Sequence, residues 1–443
     1  MPAPHPVYKR IMSGGEREAW SSRAGFLLAT LGCAVGVGNI WRFAYVAGEN
    51  GGGAFLLVYV ACVVLLGIPV MLAEFSLGGR ARSDVLAAFG ERGPWRAAGA
   101  LALSAAFLIL SYYAVVAGWA AKYLADYASG SLERAAQEDF ALRFSAFVSS
   151  PAGPIAWQAI FLAATAALVA AGVQRGIERA SRLLMPLLAA IVLLLAGYGL
   201  SLHGASRGLA FLFAPDWAAL ARPELYLAAI GQAFFSLGVG MGVLLTYASY
   251  AASREHLGGA AVAIAAGDTL FALAAGVAIF PAVFAFGLDP AQGPALAFVT
   301  LPQLFALMPG GGWLGLAFFL LLTGAALTSA VSLIEVPVAW LMRRFALSRL
   351  AATLWTAFAA FAAGIPSALS PAVLEGVDRL TAELLLPLAS IALLAYAGWA
   401  LPSAVSLAGA RLRSPRLARA WLIAVRYVAP AALAALLASS AFA

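Results

Sequence analysis

The stretch Gly32-Cys33-Ala34-Val35-Gly36-Val37-Gly38-Asn39 lies in the middle of an apolar segment, 24–46, that is otherwise long enough to cross a membrane. Each of its three glycines weakens a helix by about 1 kcal/mol relative to Ala. A bilayer tolerates frayed backbone only where that backbone is buried in protein or lines a cavity. The stretch therefore predicts an interrupted helix organised around something it binds. A second segment, 225–250, repeats the device at Ser236-Leu237-Gly238-Val239-Gly240-Met241-Gly242. Glycine-interrupted spans in corresponding positions of two halves are the sequence mark of a binding site near the bilayer midplane.

Composition agrees. Of the 443 residues, 63% are hydrophobic and 11% charged, against about 25% charged in a soluble domain. The net charge of +7 does not indicate a nucleic-acid partner, because the charges fall in short loops between apolar spans. The first 22 residues are polar and carry no apolar run followed by a small-residue cleavage site, so the first span is expected to act as its own insertion signal. Cys33 and Cys62 both fall within spans, and no disulfide is expected. His5, His203 and His256 are scattered and suggest no metal cluster.

Eleven apolar spans are expected, at 24–48, 54–79, 97–127, 155–173, 179–202, 225–252, 258–286, 312–342, 349–367, 380–403 and 419–441. Most of the 27 basic residues, among them Lys9, Arg10, Arg17, Arg80, Arg82, Arg175, Arg343, Arg344, Arg411 and Arg413, fall on one side, whereas the loop 287–311 has none. The positive-inside rule then puts the N-terminus in the cytoplasm and, with an odd span count, the C-terminus outside. The expected fold is an all-α integral membrane protein of the cell membrane. Its parts are an N-terminal latch (1–23), a first repeat of five helices (24–202), a second, inverted repeat (203–403) and one extra helix (404–443).

A broken helix leaves free N–H groups at one half-helix start and free carbonyls at the other half-helix end. The former suit a carboxylate and the latter a cation. The two breaks can thus hold a zwitterion such as an α-amino acid with few side-chain charges. The alternative is that these glycines only permit close helix packing. Ala325, Thr328 and Ser329 share one helix face at i, i+3 and i+4, and their oxygens can join the freed carbonyls of Gly32 and Val35 around a hard cation. Back-bonding of the two hydroxyls to the previous turn is the competing reading. Asp268 lies in the apolar run 260–280, where a carboxylate is costly; the alternative is a solvated Asp near a helix end. Glu74 and Glu335 are the other intramembrane acids. Glu335 either faces an inner vestibule or is exposed at the interface.

The motif Gly36-Val37-Gly38-Asn39-Ile40-Trp41-Arg42-Phe43, followed by Glu49-Asn50-Gly51-Gly52-Gly53-Ala54-Phe55, resembles the first-helix signature of the neurotransmitter:sodium symporter family, closest to its bacterial amino-acid transporters. Gly67-Ile68-Pro69 with Glu74, Tyr112-Tyr113, Gly231-Gln232-Ala233-Phe234-Phe235-Ser236, Thr246-Tyr247-Ala248-Ser249-Tyr250 and Leu327-Thr328-Ser329 extend it. The resemblance runs from about residue 16 to the last span. It implies sodium-coupled uptake by alternating access, with two sodium ions.

One sodium would take the Ala34 carbonyl, Asn39, Ser236 and Asp268, completed by the substrate carboxylate. The other would take Gly32, Val35, Ala325, Thr328 and Ser329. Asp268 would stand in for the chloride that some members bind, so no chloride requirement is expected. The substrate would contact Ala34, Val37, Gly38, Ile109, Tyr113, Phe234, Phe235, Ser236, Gly238, Met241, Ser329 and Leu333. The Tyr113 hydroxyl would meet the carboxylate, although an interfacial aromatic is the plainer reading of that residue. The lining favours a neutral hydrophobic or aromatic amino acid. Gly36 stands where monoamine members carry an acid, so the substrate must bring its own carboxylate. Gly238 replaces a common Ser. Arg42 with Asp378 resembles an outer ion pair, Phe235 a lid, and the segment 287–312 an outer hairpin. Arg17 and Trp20 resemble an inner latch, whose usual acidic partner is replaced by Arg343. Glu74 would brace the breaks through water, and Gly176 with Pro186 resembles a motif for unwinding the fifth helix. A related symporter for another zwitterion and, less favoured, a channel remain open. A channel would show rings of charge or a continuous polar stripe. An enzyme is not expected, since no nucleophile–base pair or phosphate loop is present.

Overall fold

A computed structural model describes residues 18–90, 93–134, 139–252, 256–287, 296–412 and 414–442. Regular structure there is all helical, apart from one isolated bridge between Gly52 and Pro215. Long apolar runs with no water to satisfy their backbone must bond within themselves, which selects helices. Nine helices among the described residues are long and apolar enough to cross a membrane, and a bent pair makes a tenth.

The bent pair is the first predicted span. α1 (Arg23–Ala34) and α2 (Gly38–Glu49) meet at 52°. Val35 leaves the helix with ψ at 98°, and α2 opens with a wide turn over Gly38–Arg42. Then follow α3 (Gly53–Ala81), α4 (Arg96–Ala128), α5 (Ala152–Ala170) and α6 (Val173–Ser201). The second interruption separates α7 (Pro223–Leu237) from α8 (Val243–Ser249). Gly238, Gly240 and Gly242 there have φ of +64°, +84° and +70°, a region that costs a side-chain-bearing residue dearly. The chain continues through α9 (Leu257–Ala285), a short α10 (Leu296–Leu307), α11 (Gly311–Phe345), α12 (Arg349–Leu369), α13 (Pro371–Ala400) and α14 (Pro415–Ser439).

α13 begins nine residues before its expected start at 380. Glu375, Asp378 and Arg379 read as a loop, but Glu375 and Arg379 lie on an exposed first stretch of helix and pair with each other at 3.3 Å. Near Gly176 and Pro186 the helix is not broken. α6 starts as a wide turn over Val173–Glu178 and continues unbroken past Pro186. α11 packs along α4, and both breaks lie at the centre, against α3, α9 and α11. Several of the backbone groups they free have partners: Glu74 accepts from the N–H groups of Gly240 (2.6 Å) and Leu245 (3.4 Å). The Gly38 carbonyl accepts from Gln232 Nε2 (3.1 Å), and Asn39 Oδ1 from the Gly36 N–H (3.0 Å).

Candidate functional site

Asp268 is fully buried on α9. Asn39 Nδ2, in the first turn of α2, donates to its Oδ1 at 2.6 Å. Ser236 Oγ, at the end of α7, donates to its Oδ2 at 2.8 Å, and Asn39 also donates to Ser236 Oγ at 3.0 Å. The solvated-Asp reading is thereby excluded. Sequence reasoning missed Tyr59, whose hydroxyl on α3 lies 3.4 Å from both Ser236 Oγ and Asp268 Oδ2. Carboxylate and hydroxyl oxygens of Asp268 and Ser236 gather where two broken helices meet, and oxygens suit a hard cation; the Asn39 amide turns Nδ2 to them, while its Oδ1 accepts from the Gly36 N–H.

The other predicted cation residues lie between α1 and α11. Gly32 faces Thr328, since a Cβ added at Gly32 would sit 3.3 Å from Thr328 Cβ. Thr328 Oγ1 donates to the Ala325 carbonyl (2.9 Å), which is the back-bonded arrangement, whereas Ser329 Oγ reaches across to the Cys33 carbonyl (3.2 Å). Val35 sits in the extended residue that ends α1, beside them in the chain.

Between these two clusters is a cavity of about 40 Å³, lined by Cys33, Ala34, Gly36, Gly38, Ile109, Tyr113, Phe235, Ser236, Gly238, Met241, Ser329 and Leu333. Two residues expected in this lining stand elsewhere. Val37 turns its N–H toward the Tyr113 hydroxyl at 3.5 Å, which also removes the interfacial reading of that tyrosine. Phe234 lines a larger cavity of about 410 Å³ on the far side of Phe235, with Arg42, Glu49 and Glu383. Gly36 leaves room that nothing larger can use, because a Cβ there would lie 2.5 Å from Ser329 Oγ. The lining of the small cavity combines the hydroxyl-bearing Tyr113, Ser236 and Ser329 with the apolar Ile109, Met241 and Leu333.

Phe235 lines both cavities and separates them. The Arg42 guanidinium lies 4.3 Å above its ring. Among the described residues no ion pair joins Arg42 to Asp378; the Asp378 backbone carbonyl accepts from Thr381 Oγ1 at 2.9 Å.

Among the described residues, those expected at the inner latch lie away from these cavities. Trp20 donates from Nε1 to the Tyr247 carbonyl (2.9 Å) and from its N–H to the Tyr250 carbonyl (3.2 Å). Arg17 lies outside the described residues. The exposed alternative for Glu335 is wrong: it is fully buried, held by both terminal nitrogens of Arg349 at 2.8 and 2.9 Å and by the Tyr250 hydroxyl at 2.6 Å. Glu18 joins through Arg349 Nε at 2.9 Å. Arg343 pairs with Asp84 at 2.7 Å. Glu74 meets the backbone of the second break directly rather than only through water. Gly176 packs against α5, where a Cβ would strike the Leu168 carbonyl at 1.8 Å.

Comparison with known proteins gives a consistent set. A family model described as the sodium:neurotransmitter symporter family matches residues 17–139 and 138–372. The chain is 40% identical over 369 residues to the uncharacterized sodium-dependent transporter YhdH of Bacillus subtilis (strain 168), covering 83% of this chain and 82% of that protein. It is 35% identical over 411 residues to the uncharacterized sodium-dependent transporter MJ1319 of Methanocaldococcus jannaschii, covering 88% and 83%. Among solved structures, MhsT in complex with L-phenylalanine matches with a TM-score of 0.90 at 47% identity, over 96% of this chain and all of that one.

Proposed function

The chain belongs to the sodium:neurotransmitter symporter family, a family of transporters and not enzymes, and from that premise we propose that it imports neutral, apolar α-amino acids with sodium. The observation that carries the substrate class is the small cavity between the two breaks. Its lining brings Tyr113, Gly36 and Gly38 together with Ile109, Met241 and Leu333. MhsT, at 47% identity, holds L-phenylalanine, which favours the same class.

In this reading the substrate carboxylate meets Tyr113 and the free N–H groups of the first break, and its ammonium meets the carbonyl ends. The Asp268 cluster, with Ala34, Asn39 and Ser236, holds one sodium beside the carboxylate. Gly32, Val35, Ala325, Thr328 and Ser329 hold the second. Phe235 is the lid, Arg42 and Asp378 approach each other as the outer side closes, and Trp20 latches the inner side. The eleven spans count each broken pair, α1–α2 and α7–α8, as one. Five and five make the inverted repeat, with α14 outside it, the N-terminus cytoplasmic and the C-terminus external.

The test is uptake into proteoliposomes across a panel of amino acids, with and without an inward sodium gradient. Phenylalanine, leucine and other neutral apolar amino acids are expected to accumulate only with the gradient. Equal uptake in its absence, or preference for charged amino acids or decarboxylated amines, would overturn the reading.

A further inference from the structure

Glu178 belongs to neither cation cluster, yet it is a carboxylate only 2% exposed at the end of the wide turn that opens α6. It accepts from the Ser21 N–H (2.8 Å) and hydroxyl (2.6 Å), and Arg182 pairs with it at 2.5 Å. Arg182 also donates to Ser21 Oγ (3.0 Å) and Ser22 Oγ (2.6 Å). Ser22 Oγ in turn caps α1 by accepting from the Gly25 N–H at 3.0 Å. Gly25 clears the space, since a Cβ there would lie 1.9 Å from Glu178 Oε1. Farther along the same turn, the Val173 N–H donates to Glu18 (3.1 Å) and Gln174 Nε2 to the Ala19 carbonyl (2.9 Å). The strap of residues 18–22 is thus laced along one turn of α6 from end to end.

That turn is the part of α6 best able to reshape. It follows Gly172 at φ +96°, and the Gly172 carbonyl takes both the Gly176 N–H (3.0 Å) and the more distant Ile177 N–H (3.2 Å). Wide turns of this kind mark places where a helix changes its winding. If α1 swung away while the turn stayed still, Glu178 would lose two charge-assisted bonds inside the protein, a costly exchange.

We propose that Glu178 is a positioning residue of the transport cycle: its carboxylate ties the start of α1 to the wide turn of α6, so that the two move as one unit when the inner side opens. This rests on the symporter reading above for its direction of opening, but the coupling itself is separable. The experiment is hydrogen–deuterium exchange on the full chain in lipid nanodiscs with sodium, comparing wild type, Glu178→Gln and Ser21→Ala. Both variants are expected to speed exchange several-fold in 23–34 and in 173–178 together, with 257–285 unchanged. Glu178→Gln is also expected to raise the external sodium needed for half-maximal uptake. Faster exchange in one segment alone, or in neither, would overturn the proposal. Ser21→Ala alters only the strap side, so it decides the matter even if Glu178→Gln does not fold. Failure of sodium-driven uptake in wild type would remove the transport reading, while the exchange data would still score the coupling.

Discussion

Thr328 turns its hydroxyl onto the Ala325 carbonyl, but a hydroxyl oxygen keeps two lone pairs when it donates. Back-bonding and cation binding are therefore compatible at this residue, and the two readings of the Thr328–Ser329 pair need a measurement to separate them. Replacing both with Ala is expected to lower sodium affinity about tenfold or more, since hydrogen bonds or ligands to a charged group are each worth about 1.5–3 kcal/mol. A sodium titration of uptake checks this, with insertion followed by membrane expression; full uptake at the wild-type midpoint would sink the assignment. At this scale the sequence was informative where residues are close along the chain or unusual for their surroundings. Asp268 stood out as a charge in an apolar run. Tyr59 did not, because an aromatic in an apolar span is ordinary and its partner Asp268 is 209 residues away. Glu335 was visible as an acid, but its partner Arg349 opens the next helix, 14 residues on, and charge alone does not show that the two meet.

The two broken helices were legible as elements because glycine clusters in apolar spans have a direct backbone consequence. The resemblance names Glu74 as the brace of the breaks, and the structure adds that it meets the second break directly. Glu74 on α3 serves as a fixed acceptor for two of its N–H groups, and such a group left unsatisfied in the interior costs about 1–3 kcal/mol. Glu74→Ala orphans both N–H groups, whereas Glu74→Gln retains one acceptor oxygen. Thermal melting of the purified protein in detergent is expected to rank wild type above Gln and Gln above Ala. An Ala variant that melts with wild type would mean that the break is braced from elsewhere. The early start of α13 went unread for a related reason. Glu375 and Arg379 satisfy each other one turn apart on a helix surface, and charge density alone does not distinguish that from a loop.

Across the whole molecule the balance of buried charge makes a prediction about ions. On the proposed reading, two sodium ions and a zwitterion would bring an excess of two positive charges into a site among packed helices, and desolvated charge is expensive unless paired. On the same reading, Asp268 would supply the balancing negative charge there. It is fully buried, it is oriented by Asn39 and Ser236 from the two broken elements, and none of its hydrogen-bonding partners is basic. On that reading, a carboxylate so placed would do the work of a bound anion. Transport is therefore expected to persist when chloride is replaced by gluconate on both sides of the membrane. Asp268→Asn keeps the size and one acceptor oxygen but removes the charge, so it is expected either to abolish uptake or to make it depend on chloride. The combined measurement is sodium-driven uptake of a neutral amino acid by both proteins in chloride and in gluconate. Chloride-dependent uptake by the wild type would place the balancing charge elsewhere. An Asp268→Asn protein with unchanged sodium affinity and no anion requirement would show that the carboxylate only ties the broken helices together.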